Sequence, residues 1–375
     1  MDFSFTEDQN AIRDLARQIL SDRLTDDRVK SLARDPEWFD ADLWKALADA
    51  SLLGVAIPAE HGGSGFGLPE ICLVLEEAGR HLAPLPLFAT LVLGALPVAQ
   101  FGTDEQKKTL LPGVASGASV LTAALIEPGA NRVAAPRTTA RRDGSGFVLV
   151  GEKTCVPAAS RAARILVPAR LDSGEVAIFL VAPDAAGVTL GRQVTTNGEP
   201  QFHLQLAGVH VAEADRLGGA TGPGEDALAW IDARALTALA ALQLGIADEA
   251  LRRTAAYTST RKQFEKAIGS FQAVAMRAAD AFIDVEAMRS TLHQAIWRLE
   301  EGLPARREVE VAKWWACRGG HRVAHAAQHM HGGIGADLEY PIHRFFLWAK
   351  QTEFALGGAT AHLARLGSLL ATGAR

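Results

Sequence analysis

The periodicity of this chain changes twice, and those two changes constrain its fold more than any other feature. Up to about Ser119 apolar residues recur at helical spacing, as at Ile12, Leu15, Ala16, Ile19 and Leu20. From Val120 to about Gly219 short apolar runs replace that pattern: Phe147–Val150, Arg164–Val167, Val176–Val181 and His203–Val211. Gly, Pro, Asn and Asp divide them, as turns divide strands. After Gly222-Pro223-Gly224 the helical spacing returns and holds to the end. This order predicts an α+β protein with an N-terminal helical domain at 1–119, a middle β domain at 120–222 and a C-terminal helical domain at 223–375.

Local signals refine the helical blocks. Thr6-Glu7-Asp8-Gln9 and Thr103-Asp104-Glu105-Gln106 each read as a capping box, in which the threonine caps and the glutamine reaches back. Helices are expected around Trp44–Ala50, over Pro69–His81, and from Thr103 to near Pro112-Gly113, with a glycine-rich loop at Pro58–Gly65. Leu82–Val98 is apolar but interrupted by Pro84, Pro86 and Pro97, which predicts a buried helix between prolines. In the second block, helices over Ala227–Ala256, Phe271–Leu299 and Val309–His331 precede a turn at Gly332-Gly333 and a final helix from Pro341.

The bulk numbers exclude several classes. With 375 residues, 48% of them hydrophobic, the chain can bury the cores of two or three domains. A net charge of −5 leaves nothing basic enough to track a phosphate backbone, so nucleic acid is not an expected partner. Cys72, Cys155 and Cys317 are far apart and odd in number, against a disulfide framework or a zinc site, and no metal ligands are expected. The chain opens Met1-Asp2-Phe3-Ser4, with acid where a signal peptide carries Lys or Arg, and no unbroken apolar run reaches about 18 residues. A cytoplasmic protein without a membrane span is the expectation.

Four motifs in order give a resemblance. Leu53-Gly54-Val55-Ala56-Ile57-Pro58-Ala59-Glu60-His61-Gly62-Gly63, Glu127-Pro128-Gly129-Ala130, Thr260-Arg261-Lys262-Gln263-Phe264 with Ile268-Gly269 and Phe271-Gln272, and His331-Gly332-Gly333-Ile334-Gly335 with Tyr340-Pro341 and His343-Arg344 resemble the acyl-CoA dehydrogenase family. The resemblance runs from about Phe3 to Leu370. It implies the acyl-CoA dehydrogenase-like fold, with a C-terminal domain of four-helix-bundle type and FAD bound between subunits of a homotetramer. It also implies removal of two hydrogens from the α and β carbons of an acyl-CoA. A glutamate takes the α-proton, the flavin takes the β-hydride, and an electron-transferring flavoprotein accepts the electrons.

In this family two chains hold each flavin, so the chain divides into two half-sites. The half donated to a neighbour is serviceable by resemblance, with one departure. Arg261 matches an arginine whose cationic fork suits a pyrophosphate, Phe264 an aromatic beside the cofactor, Gln272 a polar group there, and Gly332 and Gly333 a close backbone approach to the phosphates. His329 stands where the family has glutamine, and its imidazole can still donate. Taken singly, Arg261 would read as a solvated helix-end charge and Gly332-Gly333 as a plain helix stop; the ordered context argues against both.

The half serving this chain's own flavin departs from the pattern. Asn131-Arg132-Val133 replaces the family's Gly-Ser-Asp, Cys155 its tryptophan and Pro157 its threonine. Proline offers neither a hydroxyl nor an N–H. The two places where members carry the base hold Leu356, six residues after Lys350, and Ala235, ten before Gly245. Neither can take a proton, so no catalytic residue is expected here.

This one-sided loss resembles the base-less subunit of heterotetrameric (α2β2) bacterial steroid side-chain acyl-CoA dehydrogenases. Val120-Leu121-Thr122-Ala123-Ala124-Leu125, Thr196-Asn197-Gly198 and Ile296-Trp297-Arg298-Leu299 carry that closer match. It implies a second, catalytic acyl-CoA dehydrogenase subunit as partner and CoA thioesters of cholesterol-type side-chain fragments as substrates. Two alternatives stay open: a homotetrameric dehydrogenase using Glu353 as base, and a non-catalytic CoA-thioester binding or scaffold protein.

Overall fold

In a computed structural model, residues 3–130, 133, 135–222 and 224–373 are described. The helices before the sheet are α1 (Glu7–Arg23), α2 (Asp26–Leu32), α3 (Ala41–Asp49), α4 (Leu68–Arg80), a π-helical stretch Phe88–Ala95, α5 (Leu96–Phe101) and α6 (Asp104–Ala115). The strands are β1 (Val120–Ala123), β2 (Thr139–Asp143), β3 (Gly146–Pro157), β4 (Ala162–Leu171), β5 (Val176–Val181), β6 (Val188–Gln193) and β7 (Gln201–Ala212). Then follow α7 (Gly224–Thr260), a short hairpin of β8 (Lys262–Gln263) and β9 (Lys266–Ala267), α8 (Gln272–Glu300), α9 (Arg306–His331), α10 (Ile342–Phe354) and α11 (Ala359–Ala371). The helical, β, helical order expected from the sequence is the one observed.

The expected capping boxes form. Gln9 N donates to Thr6 Oγ1 at 3.2 Å and Thr6 N to Gln9 Oε1 at 3.0 Å, and Thr103 and Gln106 repeat the exchange. Four local expectations change. Pro112 sits inside α6 rather than ending it. The Pro-flanked apolar stretch is wound in part as a π-helix, an uncommon form that short-range periodicity does not signal. Strands β1, β2 and β6 were not singled out: β1 is only four residues long, β2 is mostly exposed and polar, and β6 carries only Val188 and Leu190 as apolar residues. The final helix from Pro341 is two, α10 and α11, broken at Leu356-Gly357-Gly358, where Leu356 and Gly357 have φ of 57° and 112°.

By internal compactness the chain forms two units. One comprises residues 35–71 and 85–235 and holds the sheet, ordered β1-β4-β2-β3-β7-β6 with β5 paired to β4. β1 and β2 run parallel to β4; the other pairs are antiparallel. Its core gathers Leu149, Val156, Ile165, Leu204 and Val209 around the Phe147 and Phe179 rings, 5.1 Å apart. The other comprises residues 1–34, 72–84 and 236–375. There α8 packs along α9, and α9 against α10 and α11. α4 meets α7 at two glycines: a Cβ on Gly245 would lie 1.8 Å from the Glu76 carbonyl oxygen, and one on Gly79 2.2 Å from that of Leu242. Among the described residues α7 alone is long and apolar enough to cross a membrane, but 67% of its most apolar window is buried within the protein, as in a core helix.

Candidate functional site

The six residues of the donated half come from three places in the helical unit, and all six are exposed. Arg261 follows the last residue of α7, and its N–H donates to the Tyr257 carbonyl at 2.9 Å. The β8–β9 hairpin comes next. Its two turn residues, Phe264 and Glu265, both take left-handed φ, 51° and 66°, the form of a two-residue turn that normally asks for Asn-Gly. This turn holds Phe264 86% exposed. Its ring meets Phe271 edge-on at 6.2 Å, and the Lys266 ammonium lies 4.7 Å from the same Phe271 ring. Gln272 opens α8, and His329 lies in the last turn of α9. Gly332 has φ 63°, and a Cβ on Gly332 or Gly333 would meet nothing within 4 Å, so this backbone is bare.

Two arms of this half are joined. Tyr257, one turn before Arg261, stacks on His331, the residue before Gly332, with ring centroids 4.4 Å apart. Phe264 is joined to the start of α8 through Phe271. Tyr257 was passed over in the sequence; its placement one helical turn before the arginine was the signal available.

The half for the chain's own flavin is built differently. Glu127 is an anchor: its carboxylate accepts from Arg137 N at 2.7 Å, Thr138 N at 2.9 Å, Thr138 Oγ1 at 2.7 Å and Lys153 Nζ at 2.8 Å. Burial pushes the carboxyl up, but the bonds from Lys153 and Thr138 and the lysine charge outweigh it and hold it down to about 2. Lys153 is fully buried and donates also to the Pro168 carbonyl at 2.8 Å. Asn131 and Arg132 lie outside the described residues. The ladder between β3 and β7 slips by one residue between Lys153 and Val156, and within that bulge Cys155 takes φ 53°. The Cys155 N–H is spent on Gln193 Oε1 at 2.8 Å. Pro157 is buried, and its carbonyl accepts from Thr122 Oγ1 at 2.8 Å.

The two base positions hold inert side chains in fixed surroundings. Ala235 is fully buried in α7. Leu356 lies in a loop stapled from below. Lys313, fully buried, donates to the Thr352 carbonyl at 2.9 Å, the Cys317 thiol to that of Glu353 at 3.1 Å, and His362 Nε2 lies 3.0 Å from that of Gly357. Glu310 holds the other nitrogen of His362 at 2.6 Å. The carboxylate of Glu353 is engaged by Lys350 Nζ at 2.9 Å and His321 Nδ1 at 3.2 Å. Among the described residues no group of three His, Cys, Asp or Glu could hold a metal ion.

Comparison with known proteins fixes the class. Residues 6–118 match the acyl-CoA dehydrogenase N-terminal domain and residues 233–368 the C-terminal domain. The chain belongs to the acyl-CoA dehydrogenase family, whose members are FAD-dependent oxidoreductases acting on a CH–CH bond. Among similar proteins is acyl-CoA dehydrogenase FadE27 of Mycobacterium tuberculosis, 41% identical over 99% of each chain. Among solved structures, a chain of a Tcur3481-Tcur3483 steroid acyl-CoA dehydrogenase variant is 47% identical with a TM-score of 0.92, covering 98% of this chain and 99% of that one. A chain of the ChsE4-ChsE5 complex from Mycobacterium tuberculosis is 41% identical with a TM-score of 0.93, covering 99% of each.

Proposed function

We propose that this chain is the base-less subunit of a heteromeric acyl-CoA dehydrogenase and completes the FAD site of a second, catalytic subunit. The observation that carries this is the division of the residues. Every candidate of the donated half is exposed and ready to meet another chain, whereas the half for its own flavin offers a bulged Cys155, a Pro157 without a donor, and Leu356 and Ala235 in place of a base.

The donated residues fit a dinucleotide. Arg261 would bind the pyrophosphate as a fixed cationic fork, the bare Gly332-Gly333 backbone would come close to it without a Cβ in the way, and Phe264 would pack beside the cofactor and keep water from it. Gln272 and His329 would add hydrogen bonds. When bound, the flavin accepts hydride from the β carbon. Loss of the α-proton belongs to a carboxylate of the partner, since this chain supplies none there. The residues around this chain's own ring position do not fit a second flavin. The neutralised setting of Glu353, between Lys350 and His321, supports this reading over the one in which it is a base.

The likeness to a steroid acyl-CoA dehydrogenase favours a CoA thioester of a steroid side chain as substrate. An electron-transferring flavoprotein as acceptor, an α2β2 assembly, a cytoplasmic location and the three-domain division at 1–119, 120–222 and 223–375 go with the same proposal.

Purification alone and with a catalytic partner tests it. The lone chain retains little flavin, and the co-purified complex carries about one FAD per two chains. Full flavin occupancy of the lone chain refutes the reading, and a colourless complex would favour a scaffold. Glu353→Gln leaves turnover of the complex unchanged; its abolition would restore Glu353 as the base.

A further inference from the structure

The residues that would meet the phosphates leave two different helices. Arg261 hangs from the end of α7 by its bond to the Tyr257 carbonyl; Gly332 follows His331, the last residue of α9. One pyrophosphate can touch both only if the two helix ends are held at a set spacing. At that point the chain places both of its tyrosines on one imidazole. Tyr257 stacks on His331 at 4.4 Å and 22°, and Tyr340 lies 5.4 Å from His331 and 6.3 Å from Tyr257.

His331 is 3% exposed. Its Nδ1 lies 2.8 Å from the Ala327 carbonyl, so Nδ1 carries the proton and donates there. Nε2 is buried without a partner. A lone acceptor shut away from water is unfavourable, so the nitrogen does not account for the ring's placement, whereas the stack does. Burial also lowers the affinity of this imidazole for a second proton, which keeps the ring neutral between its two aromatic neighbours.

We propose that His331 is a positioning residue for the donated half-site: its ring, stacked on Tyr257 and closed by Tyr340, sets Arg261 and Gly332-Gly333 at the spacing of one dinucleotide pyrophosphate. This rests on the subunit reading above. It predicts that the stack, and not the hydrogen bond to Ala327, governs cofactor affinity.

Two variants separate these roles. His331→Asn keeps a donor for the Ala327 carbonyl and removes the stack; His331→Phe keeps the stack and removes the donor. FAD is titrated into the flavin-stripped complex by fluorescence, with the melting temperature of the stripped complex as control. His331→Asn weakens FAD binding roughly tenfold, the scale of one aromatic pair, while its stripped complex melts alongside that of His331→Phe, which stays within about twofold of the parent in affinity. Unchanged affinity in His331→Asn, or equal loss in His331→Phe, overturns the proposal. So does a fall in melting temperature that tracks the loss of affinity, which marks a merely structural role. If His331→Asn does not assemble, Tyr257→Leu against Tyr257→Phe asks the same question from the facing ring. A parent complex that binds no FAD sinks the subunit reading itself, a result distinct from a flavin-loaded parent that is indifferent to His331.

Discussion

Lys153→Met tests whether Glu127 is a structural anchor or a site residue. The substitution removes the ammonium that reaches Glu127 and the Pro168 carbonyl, both at 2.8 Å. Glu127, 4% exposed, would keep its donors from Arg137 and Thr138. Removing one partner of a buried pair costs about 3–5 kcal/mol, and the stranded carbonyl adds about 1–3 kcal/mol. The three retained donors offset part of this, which leaves an expected loss of about 3–4 kcal/mol. A separate route gives the same scale. The fall of the Glu127 carboxyl from 4.5 to about 2, at ~1.4 kcal/mol per tenfold in proton affinity, corresponds to roughly 3 kcal/mol. Burial depresses the ionisation of Lys153 and returns some of that. Because the carboxyl is depressed on folding, its contribution is present above 4.5 and is lost as pH falls from there through about 2. Without the lysine the carboxyl is less depressed, so Lys153→Met should lose less stability than the parent as pH falls through that window, and the gap between the two should narrow in acid. Urea unfolding of the purified chain, followed by circular dichroism, measures both. Glu127→Gln with Lys153→Met should recover at least ~1.5 kcal/mol relative to the sum of the single losses. A Lys153→Met cost below about 1 kcal/mol, or no coupling in the cycle, would refute the anchor.

Two further outcomes follow from exposed features. Glu265→Gly relieves one of the two left-handed turn residues beside Phe264 and should stabilise the hairpin by about 1 kcal/mol without lowering flavin content of the complex; a drop in thermal stability would show that the carboxylate matters instead. Met276 and Ile283 lie one above the other on α8, 60% and 62% exposed. Met276→Glu with Ile283→Glu should leave the lone chain folded but abolish co-purification with the partner, read by light scattering, and an intact complex would remove this face from the interface.

Legibility in the sequence followed physical locality. The capping boxes, the long helices and strands β3, β4, β5 and β7 were readable because each is set by residues a few positions apart. Strands β2 and β6 were not, since β2 offers only Ala140 and β6 only Val188 and Leu190 as apolar residues, too few to mark a strand. The break at Leu356 was invisible for another reason. Lys313 and Cys317, distant in sequence, and the nearby His362 hold that loop by its carbonyls, and no local propensity predicts a leucine at φ 57°. The motifs proposed for the donated half are local in sequence, whereas the stack of Tyr257 on His331 between them is brought about only by the fold.

That loop also bears on the proposed division of the site. A leucine with left-handed φ is disfavoured, yet the backbone there is fixed by buried partners that have nothing to do with a base. On the proposed reading, the loop keeps its scaffold with Leu356 in place of a carboxylate. The same holds at Glu127, where the ion pair persists while Cys155 and Pro157 occupy the strand beside it. On the proposed reading, residues that hold the fold are kept, residues that would act on this chain's own flavin are replaced, and exposed residues that would meet another chain are kept. Selection for stability alone explains the first group and leaves the third without a reason, because Phe264 at 86% exposure on a strained turn costs stability instead of adding it. A flavin site completed in another subunit supplies that reason.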